Sequence, residues 1–140
     1  MNQHSIITTI RTWAEQDRVT RSVFLLGSQA RRDSNGLSDV DVVIENSGEP
    51  SVILLELQKS LPIMYHQFWP DGKLVFWVGT TLIKVDCWVL ADATDAAKYF
   101  WGSNPDDFDD WILLDRDGDL EKRLLDTVSI PANYSDIDWL

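Results

Sequence analysis

Residues 22–45, SVFLLGSQARRDSNGLSDVDVVIE, predict a strand, a glycine-serine turn, a short helix, a polar loop and a second strand. The second strand carries Asp39 and Asp41, and side chains two positions apart on a strand lie on the same face of a sheet. The opposite face then receives the apolar residues Val40, Val42 and Ile44. Two neighbouring carboxylates repel each other, so the pair indicates either a divalent cation between them or two solvated surface groups.

The turn after the first strand has the features of a phosphate site. Gly27 lets the backbone approach a ligand closely because it has no Cβ, and Ser28 adds a hydroxyl at the start of the next helix. A helix N-terminus with free N–H groups attracts phosphate. Asp39 and Asp41 would hold Mg²⁺ against phosphate oxygens. A third carboxylate on a neighbouring strand would complete a two-metal site for in-line attack on phosphorus, and Asp86 is predicted to supply it.

These residues resemble a known signature. GSQARRDSNGLSDVDVVI is similar to the Gly-Ser…Asp-x-Asp pattern of the DNA-polymerase-β-like nucleotidyltransferase superfamily, in the style of its minimal and aminoglycoside-type members. The matching positions are Gly27, Ser28, Ala30, Arg31, Ser38, Asp39 and Asp41. Two positions depart from the pattern, because Gln29 stands where many members have Arg and Arg32 stands where many have Gly. The resemblance covers about the first two thirds of the chain, with a softer match at Asp86.

The resemblance implies a magnesium-dependent nucleotidyltransferase. Such an enzyme moves a nucleoside monophosphate from an NTP, here ATP, to a hydroxyl of a small acceptor and releases pyrophosphate, with two Mg²⁺ ions at the site. The implied catalytic and metal-binding residues are Asp39, Asp41 and Asp86, and the implied nucleotide-binding residues are Gly27, Ser28 and Arg31. Whether Asp86 is a general base or only a metal ligand stays open at this point.

Simpler interpretations exist for two of these residues. Asp86 could be a surface carboxylate paired with Lys84 two positions away, and Arg31 could be an ordinary exposed helix cation. The whole chain also has two alternative functions. One is a minimal nucleotidyltransferase antitoxin that acts on a helical HEPN-type toxin partner or second subunit. The other is a non-catalytic nucleotide-binding module, for which Gln29 is the only hint.

Charge is distributed unevenly along the chain. Its net charge is −11, and residues 86–140 carry fourteen acidic and four basic residues. An acidic surface repels a nucleic-acid backbone, so a nucleic-acid substrate is not expected. It attracts a polycationic small molecule, such as an aminoglycoside-like acceptor, or a basic protein partner.

The remaining features favour one cytoplasmic domain spanning residues 1–140, with an acidic extension from about residue 101. A chain of 140 residues can bury a real core. It has no apolar run of membrane-spanning length and no signal-peptide pattern. Cys87 is the single cysteine, so an internal disulfide cannot form.

Periodicity predicts a mixed α/β fold with a five-stranded sheet and helices packed mainly on one face. The predicted helical segments are Ser5–Asp17 (with Ser5 as its cap), Ser28–Arg32, Pro50–Ser60, Asp92–Phe100 and Asp119–Thr127. The predicted strands of the sheet are Val19–Leu26, Asp39–Glu45, Pro62–Trp69, Lys73–Val78 and Thr81–Leu90. A further short apolar strand is predicted at Trp111–Leu114, outside the sheet.

Overall fold

The computed structural model describes residues 2–26, 39–100 and 112–129, except the side chains of residues 97–100, 125 and 127–129. Within these ranges the α-helices are Gln3–Gln16 (α1), Pro50–Leu57 (α2) and Leu120–Ser129 (α3). The strands are Ser22–Leu26 (β1), Val40–Glu45 (β2), Ile63–Phe68 (β3), Lys73–Val78 (β4), Ile83–Leu90 (β5) and Ile112–Asp115 (β6). Two 3₁₀ segments, Pro70–Gly72 and Ala93–Phe100, complete the described elements. No helix among the described residues has the length and apolarity needed to cross a membrane.

Within the described part of the chain the sheet has six strands in the order β3-β4-β5-β2-β1-β6, so the predicted count of five was wrong. The additional strand is β6, which pairs antiparallel with β1. All five residues of β1 are buried, and pairing with β2 alone would leave the other edge of this buried strand without backbone partners. Strand β6 supplies those partners although it is only four residues long.

The parallel pair in this mixed sheet joins β2 to β5. Its register places Asp41 opposite Asp86 near one end and Glu45 opposite Leu90 at the other. The remaining described pairs are antiparallel. Residues that are opposite each other in a register lie on the same face of the sheet. The parallel register therefore decides which side chains of β2 and β5 meet.

One face of the sheet is apolar and buried. Its central residues, on β2, β5 and β4, are Val40, Val42, Ile44, Val85, Cys87, Val89, Leu74, Phe76 and Val78, all of which are buried. Helix α1 packs on β1 and β6, and α2 packs on β4. The Trp13 indole of α1 donates a hydrogen bond to Glu56 of α2 at 2.7 Å, which joins the two helices. We call this side the apolar face.

The opposite side, which we call the carboxylate face, carries Asp41, Asp86 and Glu45. At one end it is covered by the Ala93–Phe100 segment and α3, since Glu45 accepts hydrogen bonds from the Ala93 backbone and from Arg123. Helices thus lie on both faces, whereas the sequence predicted them mainly on one. The difference arises because Glu45 is a charged residue whose partners come from elements far along the chain.

Glu45 is only 1% exposed, and both oxygens of its carboxylate accept hydrogen bonds. Its two oxygens accept bonds from Arg123 at 2.8 and 2.9 Å and from the Ser22 hydroxyl at 2.8 Å. Burial acts to raise the pKa of Glu45, but the hydrogen bonds from Arg123, Ala93 and Ser22 together hold that pKa below its ordinary value. The same pairing raises the pKa of Arg123. This ion pair anchors α3 to the sheet.

Helix α1 begins at Gln3, three residues earlier than a cap at Ser5 would allow, because its N-cap is Asn2. Asn2 Oδ1 accepts from the Ser5 amide, and the Ser5 hydroxyl lies 2.9 Å from the Asn2 amide as its acceptor. This reciprocal pair is a capping box. The prediction of Ser5 as the cap was therefore wrong, although Ser5 belongs to the cap structure.

Most other helices and strands begin or end within a few residues of their predicted bounds. Helix α2 ends at Leu57 instead of Ser60, and the segment predicted as helical at 92–100 is 3₁₀ over Ala93–Phe100. Strand β4 has the predicted bounds. The predicted helix Ser28–Arg32 lies outside the described residues.

The β3–β4 turn contains a glycine that no other residue replaces freely. Asp71 and Gly72 both have positive φ, 63° and 79°. A Cβ on Gly72 would lie 2.4 Å from the Val89 carbonyl oxygen of β5, so the turn packs directly on the neighbouring strand. Gly118 also has positive φ, at 70°, but a Cβ there would meet no atom within 4 Å.

We expect Arg123→Met to destabilise the protein by about 3 kcal/mol or more, because the Glu45 carboxylate would stay buried without its main partner. The matched control is Arg11→Met, which removes an exposed pair between Arg11 and Glu15 one helical turn apart. That control is expected to cost less than about 1 kcal/mol. Urea unfolding measures both values, and equal losses would contradict the anchoring role of the Glu45–Arg123 pair.

We expect Gly72→Ala to destabilise the protein more than Gly118→Ala. Both substitutions place Ala at positive φ, which costs about 1 kcal/mol. Only the Gly72 variant adds a collision with the Val89 carbonyl. Thermal unfolding of the two variants should separate them, and identical melting temperatures would show that the turn does not press on β5.

Candidate active site

Three aspartates lie together at the beginning of β2 and β5. Asp41 and Asp86 are register partners on adjacent parallel strands, which lie about 4.8 Å apart. Asp39 precedes β2 by one residue, and strand alternation places it on the same face as Asp41. The structure therefore places Asp41 beside Asp86, and Asp39 lies on the same face with the Lys84 ammonium 3.7 Å from both Asp39 and Asp86.

The pKa of Asp41 is strongly raised, to about 7. Burial is the largest cause, followed by the negative charge of Asp86, a hydrogen bond with Asp86 and the charge of Asp39. The ammonium of Lys73 acts in the opposite direction. Near neutral pH, Asp41 is thus present in both its protonated and its ionised form.

Asp86 is buried, with 5% of its surface exposed. Its Oδ1 lies 3.3 Å from the Lys73 ammonium but receives no hydrogen bond from the described residues. Its Oδ2 lies 3.7 Å from the Lys84 ammonium. The pairing with Lys84 that the sequence offered as a simpler interpretation is present, but a buried carboxylate with an unbonded oxygen is not a surface group.

Two lysines surround these carboxylates, and sequence reasoning gave neither a role in the site. Lys84 lies 3.7 Å from Asp39 as well as from Asp86, so it stands between them. Lys73 lies over the rings of Trp69 and Trp88, 5.3 and 5.0 Å from their centres. The β4–β5 hairpin register would have indicated that Lys73 lies near Asp86, because Lys73 pairs with Trp88 and Val75 pairs with Asp86.

The donor set fits Mg²⁺ in chemistry, since the three side chains offer hard oxygen ligands and one of those oxygens is buried without a hydrogen bond. In the arrangement described, no three His, Cys, Asp or Glu side chains of residues 2–26, 39–96 and 112–126 surround one point. The Lys84 ammonium lies 3.7 Å from an oxygen of Asp39 and 3.7 Å from an oxygen of Asp86. All three aspartates could hold one metal ion only if the Lys84 ammonium moved away from Asp39 and Asp86. Asp41 and Asp86 are already register partners on adjacent strands.

The predicted nucleotide-binding residues Gly27, Ser28 and Arg31 lie outside the described residues. The described strand β1 ends immediately before them at Leu26, which is the register partner of Asp41. The chain therefore enters the predicted phosphate-binding segment directly beside the carboxylates, on the β1 side of β2.

Comparison with known proteins gives little further guidance. No family model matches the chain, and no curated protein matches it. Among solved structures it is similar to a chain described as "structure of GLD-2/RNP-8 complex", with 14% identity and a TM-score of 0.46. The match covers 71% of this chain and 34% of the other, so this chain spans about a third of that protein's length. A likeness at this level supports no functional assignment.

We expect Asp41→Asn to stabilise the folded protein more at pH 8 than at pH 5. The pKa of Asp41 is about 7 in the folded protein against 3.8 for an ordinary aspartate, so the folded state holds the extra proton between those values. The parent therefore loses stability as the pH rises from about 4 to 7, and Asp41→Asn, which has no charge to bury, does not.

The relative gain above pH 7 should be on the order of 1–2 kcal/mol, less than the full shift because the carboxylate is only partly buried. Urea unfolding of both proteins at several pH values between 5 and 8 measures it. A difference in stability that does not change with pH would contradict the raised pKa.

Proposed function

We propose that this chain is a magnesium-dependent nucleotidyltransferase that moves a nucleoside monophosphate from an NTP, with ATP as the expected donor, to a hydroxyl. The observation that carries the proposal is the register of Asp41 with Asp86 on one face of two parallel strands, with Asp39 beside them. Support comes from Oδ1 of the buried Asp86, which accepts no hydrogen bond from the described residues and has the Lys73 ammonium 3.3 Å away. The Gly-Ser…Asp-x-Asp signature that leads into this strand pair points to the same chemistry.

In this proposal each carboxylate has a stated task. Asp39, Asp41 and Asp86 would hold Mg²⁺, which when bound neutralises phosphate charge and aligns the reacting groups. Gly27, Ser28 and Arg31 would hold the phosphates of the nucleotide. Asp86 would accept the proton of the attacking hydroxyl and pass it to solvent, because it is the carboxylate with an unbonded oxygen.

The transfer step balances without a further reactant. The acceptor oxygen forms a bond to the α-phosphorus, and the bond from that phosphorus to the oxygen bridging to the β-phosphate breaks. The bonding electrons leave with pyrophosphate, and the hydroxyl proton leaves through Asp86. Lys73 and Lys84 lie beside the carboxylates and offer positive charge to the phosphates or to the departing pyrophosphate.

The acceptor is proposed to be a small hydroxyl compound. The acidity of residues 86–140 would attract a polycation such as an aminoglycoside, or a basic protein partner, to the chain by charge alone, whereas the acceptor hydroxyl itself has to reach Asp86. Nucleic acid is disfavoured as an acceptor for the same reason.

We expect Asp86→Asn to lower kcat/KM for pyrophosphate release by about 10²–10⁴-fold, because it removes a proton acceptor at the reacting hydroxyl. The substitution keeps the shape of the side chain and removes one negative charge. Asp71→Asn is the matched control, since Asp71 lies in the β3–β4 turn and makes the same change in net charge. Equal activity of the Asp86→Asn and Asp71→Asn variants would overturn the assignment of Asp86.

A further inference from the structure

A groove of about 370 Å³ lies at the β3–β4 side of the sheet. It is lined by Tyr65, His66, Gln67, Trp77 and Leu82. Tyr65 is 61% exposed, so its ring is available to a ligand. The described groove has the size of sites that hold small molecules.

The register places this groove next to the three aspartates. Tyr65 pairs with Trp77 across β3 and β4, and Trp77 pairs with Lys84 across β4 and β5. All three side chains therefore lie on the carboxylate face. Trp77 is also a diagonal neighbour of Asp86, a relation that separates residues by about 7–8 Å. A ring resting on Trp77 would present its substituents toward Asp86.

The order of strands indicates which substrate belongs there. Leu26, the last residue of β1, is the register partner of Asp41 and lies on one side of the aspartates. The groove lies on β4 and β3, on the other side of them. In an in-line transfer the attacking hydroxyl and the leaving pyrophosphate lie on opposite sides of the phosphorus. An acceptor held in the groove lies on the β4–β3 side, next to Asp86, the residue proposed to take its proton.

The groove lining also indicates what kind of acceptor fits. None of the lining residues that the structure describes is acidic, and the nearest charged side chain in the described register is the cation Lys84. The described lining therefore offers an acceptor cation no carboxylate of its own, and Lys84 would repel it. The faces of Trp77 and Tyr65 suit the C–H face of a saturated ring, because an aromatic face is electron-rich and a C–H bond is weakly positive. The Gln67 amide, on the same face as Tyr65 and Trp77, adds a polar group that can bond hydroxyls.

We infer that the Tyr65–Trp77 groove is the acceptor subsite and that it takes an uncharged, ring-shaped hydroxyl compound such as a sugar or a cyclitol. The inference rests on the proposed function for the direction of transfer, but the groove and its chemistry are independent of that function.

The test uses the full chain and two sets of probes, followed through the indole N–H signals of the tryptophans by NMR. The neutral probes are myo-inositol and methyl glucoside, and the polycationic probe is kanamycin. We expect the neutral probes to shift the Trp77 indole signal, which a Trp77→Phe variant identifies. Tyr65→Ala should weaken their binding about fivefold to tenfold by removing one stacking face.

Phe68→Ala is the matched control, because Phe68 is a similarly exposed aromatic residue on the same strand whose register partner Leu74 lies on the apolar face. That variant should bind the neutral probes as the parent does. The inference is overturned if no neutral probe binds, if kanamycin alone shifts the Trp77 signal, or if Tyr65→Ala and Phe68→Ala have equal effects.

Titration of the same samples with Mg²⁺ and a non-hydrolysable ATP analogue distinguishes a failure of the acceptor subsite from a failure of the proposed function. Nucleotide binding without neutral-probe binding would overturn the subsite and leave the proposed function standing. Neutral-probe binding without nucleotide binding would overturn the acceptor role and the proposed function together, and would leave only a ring-binding groove.

Discussion

The parallel pairing of β2 with β5 is the constraint on which this structure depends. It places a carboxylate of one strand directly opposite a carboxylate of the other, where electrostatics alone would separate them. A slip of one residue would move Asp41 and Asp86 to opposite faces and turn the buried valines of β2 toward the charged side. The residues of the apolar face are buried in the hydrophobic core, so a slip would expose them to water and is strongly disfavoured. Hydrophobic packing on one face therefore enforces a repulsive contact on the other.

The two ends of β2 deal with buried charge in opposite ways. At the end of the strand, Glu45 has a bidentate arginine, a serine hydroxyl and a backbone amide as partners, and it is a structural group. At the beginning, Asp41 has a raised pKa and Asp86 has an oxygen without a hydrogen bond among the described residues. Incomplete compensation of this kind is costly to stability and is typical of sites that bind a ligand. The contrast within one strand distinguishes the candidate site from an ordinary buried ion pair.

Local sequence patterns predicted much of this arrangement. Alternation along β5 placed Lys84, Asp86 and Trp88 on one face, and the register has them there. Val40, Val42 and Ile44 lie on the face opposite Asp41, as predicted, and all three are buried. The sixth strand was missed as a member of the sheet because four residues carry too little periodicity to reveal a partner that lies far away in sequence.

The partners of the charged groups could not be predicted either. Arg123 reaches Glu45 across 78 residues, and Lys73 reaches Asp86 only through the hairpin register. Such contacts depend on tertiary packing, which a single sequence does not specify. The cap of α1 shows the same limit at short range, since Asn2 and Ser5 are both good capping residues and only the backbone geometry decides between them.

The most direct measurement of the central claim is calorimetric titration of Mg²⁺ with a non-hydrolysable ATP analogue into the parent chain and into a variant that combines Asp39→Ala and Asp41→Ala. The account predicts saturable binding to the parent that depends on Mg²⁺ and is absent from the variant. Equal binding to both proteins would show that the nucleotide does not use these carboxylates. Absence of binding to the parent would contradict the assignment of the β2–β5 aspartates as a metal–nucleotide site.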